Sequence, residues 1–211
     1  MSELNNITNI IALTLGVGWA SGINLYAAIF MLGFLGATGN ISLPPDLLVL
    51  TDPLVLFAAG AMYLMEFVTD KIPGVDSAWD ALHTFVRIPA GALLAAGAVG
   101  DVYPGVALSA AILGGGLAAG THATKAGARA LINTSPEPFS NWSASVAEDL
   151  LVVAGLWTAL HYPWLFLGLL VVFILLMIWL LPKLWRGIKK VFAAIGRLLG
   201  QKPKLEGEKK V

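Results

Sequence analysis

The sequence predicts an all-α polytopic membrane protein, with about six transmembrane helices in a 3+3 inverted internal repeat and a basic amphipathic helix after them. Three observations predict it. Of 211 residues 57% are hydrophobic and 12% charged, with a mean hydropathy of +0.79, where soluble domains carry about 25% charged residues. The chain also repeats itself: a slide of about 98 residues lays Ala12, Leu15, Gly16, Gly18, Ala20 and Gly22 on Ala110, Leu113, Gly114, Gly116, Ala118 and Gly120. Finally, a formal charge of zero hides an asymmetry. From Lys183 onward nine basic residues face two acidic ones, so the tail carries +7, and residues 1–182, with four basic and eleven acidic residues, carry −7. The domain division is therefore 1–182 transmembrane (repeat copies about 7–101 and 105–182) and 183–211 a cytoplasmic tail.

Residues 9–36 form the first apolar segment, long enough to cross a hydrocarbon core of about 30 Å, with Asn24 and Tyr26 near its middle. No basic region precedes it, so it reads as a retained span and not a cleaved signal. Residues 40–52, with Pro44-Pro45, are a loop, and Pro53 opens the second span as a favoured first helical residue. That span ends on Glu66 and Asp70-Lys71. Next, Asp76, Asp80, His83 and Arg87 are spaced to share one helical face, with Trp79, Leu82 and Val86 on another. The apolar remainder from Pro89 is too short to span alone, so the third crossing must recruit this amphipathic segment and kink near Pro89, carrying His83 and Arg87 toward membrane depth.

Val102-Tyr103-Pro104-Gly105 is a turn. The fourth span, around residues 108–133, is glycine-laddered and sets His122, Lys125, Arg129 and Asn133 on one face. Asn24 and His122 occupy equivalent places just after the two small-residue runs. Such runs serve either close helix packing or an unwound, substrate-facing break. Ser135-Pro136-Glu137-Pro138 interrupts the helix; the fifth span carries Glu148 and Asp149, and His161-Tyr162-Pro163 separates it from an apolar sixth. Beyond Pro182, residues 183–199 form a basic amphipathic helix expected to lie on anionic lipid headgroups of the inner leaflet. The positive-inside rule puts the C-terminus in the cytoplasm, and six spans put the N-terminus there too, in a bacterial inner membrane.

Ionisable groups in spans cost at least about 2.5 to 3.5 kcal/mol each and face a cavity or one another. Asn24, Tyr26, His122, Lys125 and Arg129 are the candidate solute or ion site; Glu66, Asp70, Asp76, Asp80, His83, Arg87, Glu148 and Asp149 are candidate gating or coupling groups. This reading makes the protein a transporter or channel-like protein for a small polar or ionic solute. The alternatives are a scaffold or assembly factor, whose polar stripes would be closed salt-bridge networks, and a lipid-handling protein whose Lys125 and Arg129 meet a phosphate. An enzyme is not expected, for want of a nucleophile or metal constellation, and Gly114–Gly116 is no nucleotide loop because it lies inside a span without a preceding strand. No metal site, cofactor or nucleic-acid partner is expected, and a homo-oligomer is left open.

The segments SGINLY, MEFVTDKIPGVDSAWDALHTFVRIPAG and THATKAGARALINTSPEPFSNWSASVAED resemble a family of bacterial integral membrane proteins, the domain of unknown function 4126. The resemblance covers about residues 18–160. It implies a membrane protein and brings no activity or substrate with it; the basic tail lies outside it.

Overall fold

The computed structural model describes residues 2–134 and 138–198. The break expected at Ser135-Pro136-Glu137 and the tail beyond residue 198 lie outside the described residues. Within them the chain is helical: α1 (Ser2–Ala37), a 3₁₀ segment (Pro45–Thr51), α2 (Pro53–Thr69), α3 (Val75–Ala98), α4 (Pro104–Ile132), α5 (Pro138–His161) and α6 (Pro163–Leu198). By length and composition α1, α3, α4, α5 and α6 could each cross a membrane, with a sixth span if the 3₁₀ segment and α2, bent by 68°, count as one.

α1 is not a straight rod. Asn24 sits inside it with extended backbone angles (φ −146°, ψ 97°), because its side chain offers the backbone an alternative to helix. Asn24 Oδ1 accepts a hydrogen bond from the Ala27 amide at 2.9 Å, capping a second helix as an N-cap residue does. The carbonyl of Ile23 thereby loses the donor a continuous helix would supply.

Contacts with α5 show where each half goes. Asn24 Nδ2 donates to Asp149 at 2.9 Å. From there the first half, residues 2–23, rises along α5, with Trp19 against Gly155 and Gly16 against Ala159. The second half, residues 25–37, rises along α5 as well, since Ala27, Phe30 and Phe34 share a crevice with Val153 and Trp157. Both ends of α1 then meet at one end of the bundle, where Asn6 and Asn9 line a cavity of about 620 Å³ together with residues 40–44 and His161. α1 is a re-entrant hairpin with its tip at Asn24.

We call this the upper end; Pro44 approaches Gly100 there. At the lower end Trp142 Nε1 donates to the Lys71 carbonyl at 3.1 Å and Gly187 of α6 meets Leu131 of α4. α2 to α6 therefore cross alternately, and α6 finishes at the lower end. The described ends of the chain, the start of α1 and the end of α6, lie at opposite ends of the bundle, which departs from the expectation that six crossings bring both to one side. Hydropathy registers that α1 is apolar and long; it does not register that one asparagine turns it around.

The repeat is corrected likewise. Gly18 packs on Gly114, and Gly22 on Ala118 and Thr121, so the two glycine ladders lie side by side and run in the same direction. Inverted copies would run them oppositely. A Cβ on Gly18 would fall 2.6 Å from the Gly114 Cα, so this close approach requires glycine.

Further expectations differ in detail. Residues 45–51 form a 3₁₀ segment with Leu47 and Leu50 buried, not a plain loop. α3 recruits the amphipathic segment as expected and passes through Pro89 as one helix. α6 continues through Pro182 to Leu198, with no separate helix after Pro182 among the described residues; Lys183 lies over the Trp179 ring, 2.9 Å from its centroid, and Leu184 packs on Gly127. One proline removes a single helical donor, and the neighbouring packing holds the helix across it.

The apolar core gathers around α1, with Val17, Trp19, Leu25 and Leu32 against Val152, Leu156 and Phe166. The outer surface is apolar too: Phe57 on α2, Leu82 and Phe85 on α3, Ile112 on α4, Leu150 on α5 and Trp179 on α6 are exposed. Such an extensive apolar exterior suits a lipid solvent.

Candidate functional site

The polar residues that the sequence scattered over four helices converge beneath the hairpin tip. α3 is inside out: Asp76, Asp80, His83 and Arg87 face the interior while Leu82 and Val86 face outward. α4 turns His122, Lys125 and Arg129 inward, Glu66 of α2 and Asp70 at its C-cap lie one turn apart, and α5 brings Asn141, Glu148 and Asp149.

Arg87 and Lys125 meet the broken backbone. Arg87 Nη1 donates to the carbonyls of Ile23 (3.1 Å) and Gly22 (3.4 Å), and Lys125 Nζ to that of Ile23 at 3.1 Å. Two cations thus cap the carbonyl end of a half-helix, where its dipole is negative. Arg87 Nη2 also pairs with Glu66 Oε1 at 2.6 Å and Nη1 with Asp80 at 3.2 Å. Lys125 reaches Asp70 at 2.9 Å, Glu66 at 3.3 Å, Glu148 at 3.5 Å and Asp80 at 3.7 Å.

Arg129 lies one turn lower. It forks onto Glu148, with Nε to Oε1 at 3.0 Å and Nη2 to Oε2 at 2.7 Å, the bidentate geometry that guanidinium favours. Its Nη1 donates to the carbonyl of Asp70 at 2.9 Å and to Asn141. Asp76 accepts both from Asn133 Nδ2 (2.7 and 2.9 Å) and from the amide of Ser77, so it ties the start of α3 to the end of α4.

His122 lies at the rim. A guanidinium can only donate, so the 3.2 Å contact with Arg87 Nη1 makes His122 Nδ1 an acceptor, leaving Nε2–H to face Thr84 Oγ1 at 2.7 Å. Tyr26 and His83 stand beside the network: Tyr26 meets the His83 ring edge-on at 5.7 Å, and His83 stacks on Trp79 and bonds its carbonyl. Below the spans, Lys71 folds over the Phe67 ring, and partial burial holds its amine below the ordinary lysine range against the pull of Asp149 and Asp70.

The sum of charges is uneven. Six carboxylates, of Glu66, Asp70, Asp76, Asp80, Glu148 and Asp149, surround three cations, Arg87, Lys125 and Arg129. Glu66 Oε2, Asp70 Oδ1, Asp80 Oδ2 and Asp149 Oδ2 are buried with no hydrogen-bond partner among the described residues. Among the described residues no three His, Cys, Asp or Glu side chains converge as metal ligands.

Sequence reasoning missed Thr84, Asn141 and the freed carbonyls of Gly22 and Ile23. Thr84 was within reach, because it shares the face of Asp80 and Arg87. The carbonyls carry no side-chain signature at all.

Neither a curated protein nor a solved structure matches the chain. A family model does match, over residues 11–183, described as a domain of unknown function (DUF4126). The match takes in the hairpin tip, α2 to α5 and every charged residue of the network, and it ends where the basic tail begins. With most of its length so matched, the chain belongs to the DUF4126 family of unknown function.

Proposed function

We propose that the protein is a transporter or channel-like protein for a small polar or ionic solute, with its site beneath the α1 hairpin tip among Asn24, Lys125, Arg129, Glu66 and Asp70. One observation carries this reading: a helix broken deep inside an apolar bundle, its freed carbonyls meeting cations, over a buried network with twice as many carboxylates as cations. Discontinuous helices whose ends face ions are what transporters build at their sites, and buried charge beyond what pairs itself is costly unless used. The conformation is a closed one, and we assign no covalent chemistry to it. Clustering of Lys71, Lys183, Arg186, Lys189 and Lys190 toward the lower end, against Asp46, Asp52 and Asp101 at the upper, favours a cytoplasmic lower end in the inner membrane and an N-terminus outside. The same cations support contact of the tail with anionic lipid.

The test is charge movement by the full chain in liposomes on a solid-supported membrane, under jumps of small anions, zwitterions and monovalent cations. At least one should give a transient current, and Lys125→Ala should reduce it about tenfold or more; no current with any class, or an unchanged one in the variant, overturns transport. A second reading, a membrane scaffold, is favoured by one feature: Arg87, Lys125 and Arg129 are each already paired. It expects no current from any jump.

A further inference from the structure

Five of the six carboxylates of the network have a cation within 4 Å: Glu66 and Asp80 have Arg87 and Lys125, Asp70 and Glu148 have Lys125 and Arg129, and Asp76 has Arg129. Asp149 has none. It is 9% exposed, its Oδ1 accepts from Asn24 Nδ2, and its Oδ2 is buried without a partner. The groups acting on it from elsewhere are Tyr63 of α2, Asp70 and Lys71 just after that helix, and Lys125 of α4, with Glu148 beside it in sequence.

We propose that Asp149 is a proton-binding site, and that the closed hairpin holds the proton on Asp149 Oδ2. This deepens the transport reading by naming its coupling ion and rests on it for that role. An ionised carboxylate at this depth, with one oxygen bonded to an uncharged amide and the other to no described group, bears a desolvation cost that no cation in contact offsets. Adding a proton at Oδ2 makes the group a neutral acid and leaves Oδ1 free to accept from Asn24 as it does here. The free oxygens of the network do not gather in threes, so a metal ion would lack a cage, whereas a proton needs one oxygen.

Asp149 bonds the residue on which α1 turns, so the proton is linked to the hairpin. If the tip moves and water reaches Asp149, the ionised form becomes favourable and the proton leaves to that water. The closed conformation then binds one proton more than the open one. Acid therefore favours closure, and rising pH favours opening.

The test is pH-difference infrared spectroscopy of the full chain in lipid nanodiscs. The wild type should show the carbonyl band of a protonated carboxylic acid, which ¹³C-aspartate labelling shifts and ¹³C-glutamate labelling does not; Asp149→Asn should lose it and Glu148→Gln keep it. The labelled wild type keeps the test decisive even where a variant misfolds. A band that moves with labelled glutamate, a band that survives in folded Asp149→Asn, or no band at all overturns the proposal. Solute-driven current failing in a wild type that has the aspartate band would sink transport and leave the proton site standing.

Discussion

At the scale of single residues, Lys125 is where the network is most exposed to damage. Its ammonium serves Glu66, Asp70, Asp80, Glu148 and the Ile23 carbonyl together. Lys125→Met should leave those groups uncompensated in a buried setting and lower stability by about 3–5 kcal/mol, read as a fall in the thermal midpoint in detergent. Asn24→Ala removes the cap of the second half-helix and the partner of Asp149, and about 1–2 kcal/mol is expected from the lost cap. Lys71 gives a pH signature of opposite sense to that of a lysine held by an ion pair. Its amine is held below the ordinary range when folded, so the unfolded chain binds the proton more readily and stability should rise with pH across the alkaline window below the ordinary lysine value. Lys71→Gln should flatten that rise in a melting series. Residue types were the most legible part of the site: Lys125, Arg129, Glu66 and Asp70 stand out because charge inside an apolar run is conspicuous. Which carboxylate lacks a cation was not legible, since it depends on how α5 is rotated against α4.

At the scale of elements, the two glycine ladders show how far a sequence repeat can mislead. Gly18 and Gly116 are equivalent under the internal slide, yet Gly18 lies on the Gly114 backbone while a Cβ on Gly116 would meet nothing within 4 Å. Gly18→Ala should force α1 from α4 and destabilise by about 1–3 kcal/mol. Gly116→Ala should be neutral or slightly stabilising, because alanine is the better helix former; the two melting curves together check the assignment. Helix existence and the inward face of α3 were readable from 3.6-residue spacing. The break at Asn24 was readable only as one of two alternatives, since small-residue runs serve packing and breaks alike, and here they do both.

At the scale of the whole molecule, counting apolar segments gave the wrong parity. Hydropathy treats residues 9–36 as one crossing, and the structure returns the chain to the side it entered. The sequence has no cysteine, so single introduced thiols report sidedness without background. In oriented vesicles Asn6→Cys and Asn40→Cys should react from one side with an impermeant maleimide, and Thr134→Cys and Arg186→Cys from the other. Six full crossings would instead place Asn6 with Arg186.

The hairpin also fixes an order of events in biosynthesis. Asn24 leaves the ribosome early, but the side chain it bonds follows 125 residues later, and the cations that cap its carbonyls come 64 and 102 residues behind Ile23. At about 5–20 residues per second, α1 waits roughly 6–25 s for Asp149. A hairpin with free carbonyls cannot wait in hydrocarbon. It must rest at the bilayer surface, or cross provisionally as one straight helix, and take its seat only when α3, α4 and α5 have enclosed it. α1, made before the helices that enclose it, is thus among the last to reach its final place, and chains truncated before α5 should be substrates for membrane quality control.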